Sequence, residues 1–197
     1  MRKLTLLLLF TILSIVLWAQ HLEQQAQQLP LHSSQNPDKQ IITGAERTEI
    51  YLPLLEGKRV AICGNQSSLI GKTHLVDSLI SRKVNVVKIF SPEHGFRGNA
   101  EAGAHISSST DSKTGLPIIS LYGKNKKPTA EQMKGIDLII FDIQDVGCRF
   151  YTYISTLHYV MEAAAENNVD VLILDRPNPN GYFVDGPVLE EKYKSFV

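Results

Sequence analysis

The sequence predicts an α/β fold in which a parallel β-sheet carries helices on both faces. Short, almost wholly apolar segments alternate along the chain with segments of helical spacing, a pattern typical of a parallel sheet flanked by helices. The apolar segments lack the polar–apolar alternation of a half-exposed strand, which indicates that both faces of the sheet are covered. The strands are predicted at residues 59–63, 84–90, 117–121, 136–143 and 171–175.

Three segments between these strands have helical patterns. Residues 73–81 place four apolar side chains on one side: Leu75, Val76, Leu79 and Ile80. Thr129 and Gln132 have the spacing of a capping box and predict the start of a short helix. Residues 150–167 are long enough for a helix with apolar positions at Ile154, Leu157, Val160, Met161 and Ala164.

The N-terminal segment is predicted to be a secretory signal peptide over residues 1–19. Arg2 and Lys3 precede a nearly unbroken apolar run, and Ala19 supplies a small residue for cleavage. The run is shorter than the roughly 20 residues of a membrane span, so we expect no stable span after cleavage. An uncleaved N-terminal anchor is the alternative. Export predicts a periplasmic or extracellular protein.

The rest of the chain divides into a linker and one domain. Residues 20–40 are rich in Gln, Ser, Asn and Pro, which predicts a flexible linker. Residues 41–197 are predicted to form the folded domain. The formal net charge is zero and no basic stripe is present, so we expect no nucleic-acid partner.

No cofactor or metal is predicted. The residues after the first strand, Gly64–Ser68, match a dinucleotide-binding loop poorly. Cys63 and Cys148 have no metal-site spacing, and we favour two free thiols over the disulfide that an oxidising compartment allows. Glu101, His105 and Asp111 match no metal motif.

Polar clusters follow four of the predicted strands, at the edge where the carboxyl ends of parallel strands meet. Glu93 is the candidate general acid, a role that requires burial to raise its pKa. Asp142 and Asp145 are candidates for a second catalytic carboxylate. Asp142 has two alternative roles: it caps the next helix, or it pairs with Arg149.

The same clusters supply candidate substrate-binding residues. Arg149 and Arg176 suit bidentate pairing with a carboxylate or phosphate. Asn178 and Asn180 suit sugar hydroxyls, and Tyr151 suits stacking on a sugar face. Three further residues complete the set: Asn65, His94 and Arg97.

Structural roles for these residues remain open. Arg176 forms an ion pair with Asp175 in one such interpretation. The segment Asn178–Gly181 is only a turn in another, because Asn, Pro and Gly favour turns. Tyr151 and Tyr153 are core residues in a third.

Four motifs occur in a fixed order between residues 41 and 190. They are Ser91–Gly98, Leu121–Gly123, Phe141–Gly147 continued by Arg149–Tyr153, and Asp175–Gly181. Together these motifs resemble the NamZ-type exo-β-N-acetylmuramidases. The resemblance implies a bacterial exported glycosidase that removes terminal β-1,4-linked N-acetylmuramic acid from the non-reducing end of peptidoglycan fragments, in cell-wall turnover or recycling.

The resemblance also implies an architecture and a catalytic residue. It implies a Rossmann-like N-terminal catalytic domain, a smaller C-terminal domain and an active-site cleft between them. Glu93 matches the glutamate regarded as catalytic in the family. The chain is expected to carry the N-terminal domain alone. The expected partner is a fragment of N-acetylmuramic acid linked to N-acetylglucosamine, whose lactyl carboxylate suits an arginine.

Two other functions stay open. The first is a non-catalytic module that binds muropeptides. The second is a different hydrolase on a Rossmann-like scaffold, because a fold does not determine a function.

Overall fold

The computed structural model describes residues 41–92, 95–98 and 109–197. Its strands are β1 (Val60–Gly64), β2 (Leu69–Ile70), β3 (Thr73–His74), β4 (Val86–Ser91), β5 (Ser109–Thr110), β6 (Pro117–Ser120), β7 (Leu138–Asp142) and β8 (Asp170–Ile173). Six of them form one sheet in the order β5-β6-β4-β1-β7-β8, while β2 and β3 form a separate antiparallel pair. All neighbours in the large sheet are parallel except β5 and β6.

In the described part of the chain, four α-helices lie between or before these strands. They are α1 (Thr48–Tyr51), α2 (Leu75–Ser81), α3 (Ala130–Met133) and α4 (Tyr153–Glu166). Short 3-10 helices cover Gly44–Glu46, Leu52–Leu55 and Glu191–Tyr193. The part of the chain from Ile42 to Val197 is one compact unit. No helix among the described residues is both long and apolar enough to cross a bilayer.

The two faces of the sheet have separate apolar cores. Val60 and Ile62 of β1 point to one face and pack in the cluster that holds Leu79 of α2. Ala61 and Cys63 point to the other face and pack in the cluster that holds Val160 of α4. Both faces are therefore covered by helices, and the predicted α/β fold with a mainly parallel sheet is confirmed.

The strand order contains a reversal that positions the site. From β1 the chain moves outward to β4 and then β6, and it returns to the other side of β1 to form β7 and β8. The connections at the carboxyl ends of β1 and β7 therefore leave the sheet edge in opposite directions. Ligands of open α/β sheets bind in the crevice that such a switch point opens.

Several element boundaries differ from the sequence prediction. The predicted helix over 73–81 begins at Leu75, because residues 73 and 74 pair with β2 and His74 accepts a hydrogen bond from the Val76 amide (3.4 Å) as the N-cap. The capping box is confirmed: Thr129 Oγ1 accepts from the Gln132 amide at 3.3 Å, and Gln132 Oε1 accepts from the Thr129 amide at 2.9 Å.

The prediction for the long helix was wrong at its start and at two apolar positions. Helix α4 begins at Tyr153 and not at residue 150. Ile154 and Met161 are exposed, and the buried side chains are Thr156, Val160, Ala163 and Ala164. These mostly small residues let α4 lie close to the sheet. The segment between β4 and β6 contains the edge strand β5, which the sequence analysis did not predict.

Cys63 and Cys148 are both free thiols. Cys63 is buried in the sheet, and this burial raises the pKa of its thiol far above the usual value. Cys148 is half-buried. The predicted signal peptide and linker, residues 1–40, lie outside the described residues.

Candidate active site at the carboxyl edge of the sheet

A cavity of about 540 Å³ lies where the chain leaves β1 and β7. It therefore occupies the switch point of the sheet. Its walls come from the loop after β1 and from the segment between β7 and α4. The lining residues are Asn65, Gln66, Ser67, Gln144, Val146, Phe150, Tyr151, Thr152 and Tyr153.

The inner wall of the cavity is held by Asn65, which is buried. Its backbone amide donates to Ser68 Oγ at 3.0 Å, and its Oδ1 accepts from the amide and hydroxyl of Ser67 at 2.8 and 2.6 Å. Ser67 Oγ in turn accepts from the Gln144 amide at 2.9 Å. The loops after β1 and β7 are thus joined by side chains, with Asn65 in a structural position within the wall.

A third loop joins this wall. Gln144 Nε2 donates to the carbonyl of Asp145 at 2.6 Å and to the carbonyl of Pro177 at 3.0 Å. Pro177 belongs to the segment after β8, so the loops that follow three strands are fixed to one another.

Asp142 and Arg176 form an ion pair beneath the cavity. Arg176 Nε donates to Asp142 Oδ1 at 2.6 Å and its Nη2 to Oδ2 at 3.0 Å; Nη2 also donates to the Leu69 carbonyl at 2.8 Å. The Asp142 side chain is fully buried and that of Arg176 is 9% exposed. Burial raises the pKa of Asp142, and the Arg176 guanidinium opposes that rise.

This geometry revises three sequence expectations. Asp142 pairs with Arg176, not with Arg149, and its carboxylate is sequestered from the cavity. Arg176 pairs with Asp142, not with Asp175. Because the guanidinium is occupied in a buried bidentate pair, the structure gives Arg176 a scaffold position instead of a substrate-gripping one.

Arg97 is also occupied. Its Nε and Nη2 donate to Asp111 at 2.7 and 2.8 Å, and its Nη1 and Nη2 donate to Asp77 at 3.1 and 2.9 Å. Hydrogen bonds from Arg97, and then from Thr114, hold the pKa of Asp111 at about 2. Arg97 therefore joins α2 to the β5–β6 turn, and its guanidinium is occupied by these two aspartates instead of by the expected substrate.

The segment after β8 packs on the loop after β7. Asn178 Oδ1 accepts from the Asn180 amide at 2.9 Å, as in a turn, and Asn180 Nδ2 donates to the Val146 carbonyl at 2.8 Å. Arg149 donates to the Pro187 carbonyl at 3.2 Å. In the described structure these three predicted binders make contacts within the protein, and the turn interpretation of residues 178–181 fits the geometry.

Among the predicted site residues, Asp145 has a carboxylate oxygen without a hydrogen-bond partner in the described structure, and Tyr151 lines the cavity. Asp145 Oδ1 accepts from the Gly147 amide at 2.8 Å, while its buried Oδ2 has no hydrogen-bond partner among the described residues. The Tyr151 side chain lines the cavity and is partly exposed.

Glu93 and His94 lie outside the described residues, but the chain on either side is well fixed. Ser91 is buried, and its carbonyl accepts from the Leu121 amide at 2.8 Å. Phe96 is buried with its ring centroid 4.4 Å from that of His74. A Cβ at Gly98 would lie 3.0 Å from the Gln66 side chain, which brings residue 98 against the cavity rim.

Sequence reasoning left out most of the neutral residues that line the cavity. Gln66, Ser67 and Gln144 follow predicted strands, a signal that does not separate them from other polar loop residues. Phe150 and Thr152 lie within the motif Arg149–Tyr153, but nothing in the motif distinguishes them as lining residues. Among the described residues, no three His, Cys, Asp or Glu side chains are grouped as metal ligands.

We predict that Gly147→Ala strongly destabilises this edge. Gly147 has φ +69°, and an added Cβ would lie 2.3 Å from Asn178 Nδ2. Gly57 is the matched control, because its φ is +72° and nothing lies within 4 Å of an added Cβ. Both variants carry the backbone strain of about 1 kcal/mol, and Gly147→Ala should lose about 1–3 kcal/mol more in urea unfolding through overpacking. Equal losses of stability in the two variants would show that the Asn178 side chain moves away from the added Cβ without cost.

Comparison with known proteins decides the family. The family model described as "Exo-beta-N-acetylmuramidase NamZ, N-terminal" matches residues 60–197. The chain belongs to this family. It is 49% identical over 152 residues to the peptidoglycan beta-N-acetylmuramidase NamZ of Bacillus subtilis (strain 168), a match that covers 75% of this chain and 36% of the relative.

Two solved structures of DUF1343 family proteins from Bacteroides fragilis NCTC 9343 have a similar fold. One is 52% identical with a TM-score of 0.71, over 81% of this chain and 41% of the solved chain. The other is 46% identical with a TM-score of 0.71, over 79% and 40%. This chain of the NamZ N-terminal family thus spans less than half the length of the relatives that it matches.

Proposed function

We propose that this chain supplies the sheet-side part of an exo-acting glycoside hydrolase, which releases terminal β-1,4-linked N-acetylmuramic acid from the non-reducing end of peptidoglycan fragments in cell-wall turnover or recycling. The observation that carries the proposal is the match of residues 60–197 to the NamZ N-terminal family. The cavity at the switch point supports it, because this is where α/β proteins bind ligands.

Glu93 is the proposed general acid. It follows β4 by two residues, and the described residues on both sides of it are packed at the carboxyl edge of the sheet. A glutamic acid in this role protonates the glycosidic oxygen as the bond to the leaving sugar breaks. His94 is proposed to tune Glu93 or to bind substrate.

Asp145 is the proposed second carboxylate. Glycoside hydrolysis commonly uses two carboxyl groups, one as acid and the other as nucleophile or base. Asp142 is paired with Arg176 in the protein interior, whereas Asp145 keeps one carboxylate oxygen without a partner among the described residues. Asp145→Asn retains the acceptor for the Gly147 amide and removes the negative charge.

The test is the release of N-acetylmuramic acid from a chromogenic N-acetylmuraminide by the full chain. We expect Glu93→Gln to lower kcat by about 10²–10⁴-fold, because general acid catalysis contributes that much. Glu56→Gln is the control, since Glu56 is an exposed glutamate before β1, at the opposite edge of the sheet. Near-wild-type release by Glu93→Gln would refute the assignment.

A non-catalytic muropeptide-binding module is the second candidate, favoured by the position of Asp142, a predicted catalytic carboxylate that is buried in an ion pair with Arg176. Saccharide binding without product would support this candidate. Hydrolysis of other chromogenic glycosides in preference to the muraminide would support a different hydrolase. We also propose that the protein is exported to the periplasm or the cell exterior, on the basis of residues 1–19.

A further inference from the structure

We infer that the cavity between β1 and β7 binds an uncharged N-acetylated sugar, and that the sugar bearing the lactyl carboxylate lies outside it. The inference rests on the proposed function for the identity of the substrate, which joins N-acetylmuramic acid to the neutral N-acetylglucosamine. It concerns which of these two sugars the cavity accepts.

The first observation is the charge of the lining. All the described lining residues are neutral: amides, hydroxyls, aromatic rings and one valine. The arginines expected to grip a carboxylate are used elsewhere. Arg97 binds Asp77 and Asp111, Arg176 binds Asp142, and Arg149 binds the Pro187 carbonyl. A carboxylate in this cavity would lose water and gain no cation among the described residues, which is costly.

The second observation is the division of the polar lining into two layers. Asn65, Ser67 and Gln144 form the inner wall and bond to one another and to backbone groups. Gln66 and Thr152 have side chains that make no hydrogen bond within the described structure and remain available. Amide and hydroxyl groups can donate and accept, so they match the hydroxyl and acetamido groups of a neutral sugar.

The third observation is an exposed aromatic pair at the cavity. Phe150 is 70% exposed and Tyr151 39%, with ring centroids 5.7 Å apart and planes tilted by 54°. Both rings present an apolar face that suits C–H groups, and the Tyr151 hydroxyl adds a polar tip that suits O–H groups. The cavity volume of about 540 Å³ is in the range of small-molecule sites.

Binding to the full 197-residue chain tests the inference without requiring turnover. Amide signals are followed by NMR during titration with the methyl β-glycosides of N-acetylglucosamine, N-acetylmuramic acid and the methyl ester of the latter. We expect N-acetylglucosamine to shift the signals of Gln66, Ser67 and Gln144. N-acetylmuramic acid should bind at least about tenfold more weakly, and its neutral ester should regain affinity.

Variants of the lining separate this site from nonspecific binding. Tyr151→Ala should weaken N-acetylglucosamine binding about fivefold to tenfold through lost contact with the ring, while Tyr151→Phe keeps most of the affinity. Tyr182→Ala is the control, because Tyr182 is an exposed tyrosine outside the cavity lining. Gln66→Arg should reverse the preference in favour of N-acetylmuramic acid, because it supplies the missing cation.

The outcomes separate this inference from the proposed function. Equal or tighter binding of N-acetylmuramic acid by the unaltered chain overturns the inference, as does an ester that binds no better than the acid. Hydrolysis of the muraminide without any shift of the cavity signals by N-acetylglucosamine overturns the inference and leaves the proposed function standing. Selective N-acetylglucosamine binding without hydrolysis supports the inference and removes the catalytic proposal.

Discussion

Asp142→Ala is expected to lower the free energy of unfolding by about 3–5 kcal/mol. The substitution leaves the Arg176 guanidinium, whose side chain is 9% exposed, without its counter-charge in the protein interior. In a domain of this size the loss corresponds to a fall in Tm of roughly 10 °C, measurable by calorimetry or urea unfolding.

The pair of Lys58 and Asp170 is the control for this prediction. Its closest N–O distance is 2.6 Å, the same as between Arg176 and Asp142, but the Asp170 side chain is 67% exposed. Asp170→Ala should therefore cost less than about 1 kcal/mol. The double variant Asp142→Leu/Arg176→Met should recover most of the loss, because it leaves no unpaired charge. Equal losses of stability for Asp142→Ala and Asp170→Ala would contradict the expectation that burial sets the size of the effect.

Arg97→Gln has the second large expected effect, a loss of about 3 kcal/mol. It removes four hydrogen bonds and leaves Asp111, whose side chain is 3% exposed, with only its contacts to Thr114. Lys113→Gln is the matched control, since Lys113 Nζ also contacts Asp77, at 2.7 Å, but its side chain is 65% exposed. The control should change stability by less than about 1 kcal/mol.

The pH dependence of stability gives this prediction a second measurement. Arg97 and Thr114 hold the pKa of Asp111 at about 2 in the folded protein, below the value of about 3.9 in an unfolded chain. A depressed folded pKa adds stability that is complete above about pH 4 and is lost as the pH falls toward 2. The stability gap between wild type and Arg97→Gln should therefore narrow between about pH 5 and 2. A stability difference between wild type and Arg97→Gln that stays constant over this pH range would refute the effect of Arg97 on the pKa of Asp111.

The fold could be predicted from the sequence, because strands buried on both faces of a sheet are apolar at every position. Residues 60–63 and 138–141 are apolar at every position and are all buried, as a central parallel strand requires. The capping box at Thr129 was also readable, because both of its hydrogen bonds join residues three apart. The start of α2 could not be predicted, because β2 and β3 pair over only two residues each and leave no recognisable pattern in the sequence.

The candidate site was harder to predict because charge alone does not tell a ligand contact from a structural one. Arg97 and Arg176 lie in the predicted clusters, but their partners Asp111 and Asp142 are 14 and 34 residues away in the sequence. Which carboxylate faces each guanidinium depends on strand register and loop path, which local patterns do not encode. Glu93 and His94 remain predictions, since they lie outside the described residues.

The bond from the Gln144 amide to Ser67 Oγ also has a consequence for the order of folding. It joins groups 77 residues apart, and the bond from Ser68 Oγ to the Asp142 carbonyl spans 74 residues. Contacts of such sequence separation form only after a large loop has closed. We therefore expect the cavity wall to assemble only once β1 and β7 have paired, after the apolar segments of these strands have come together.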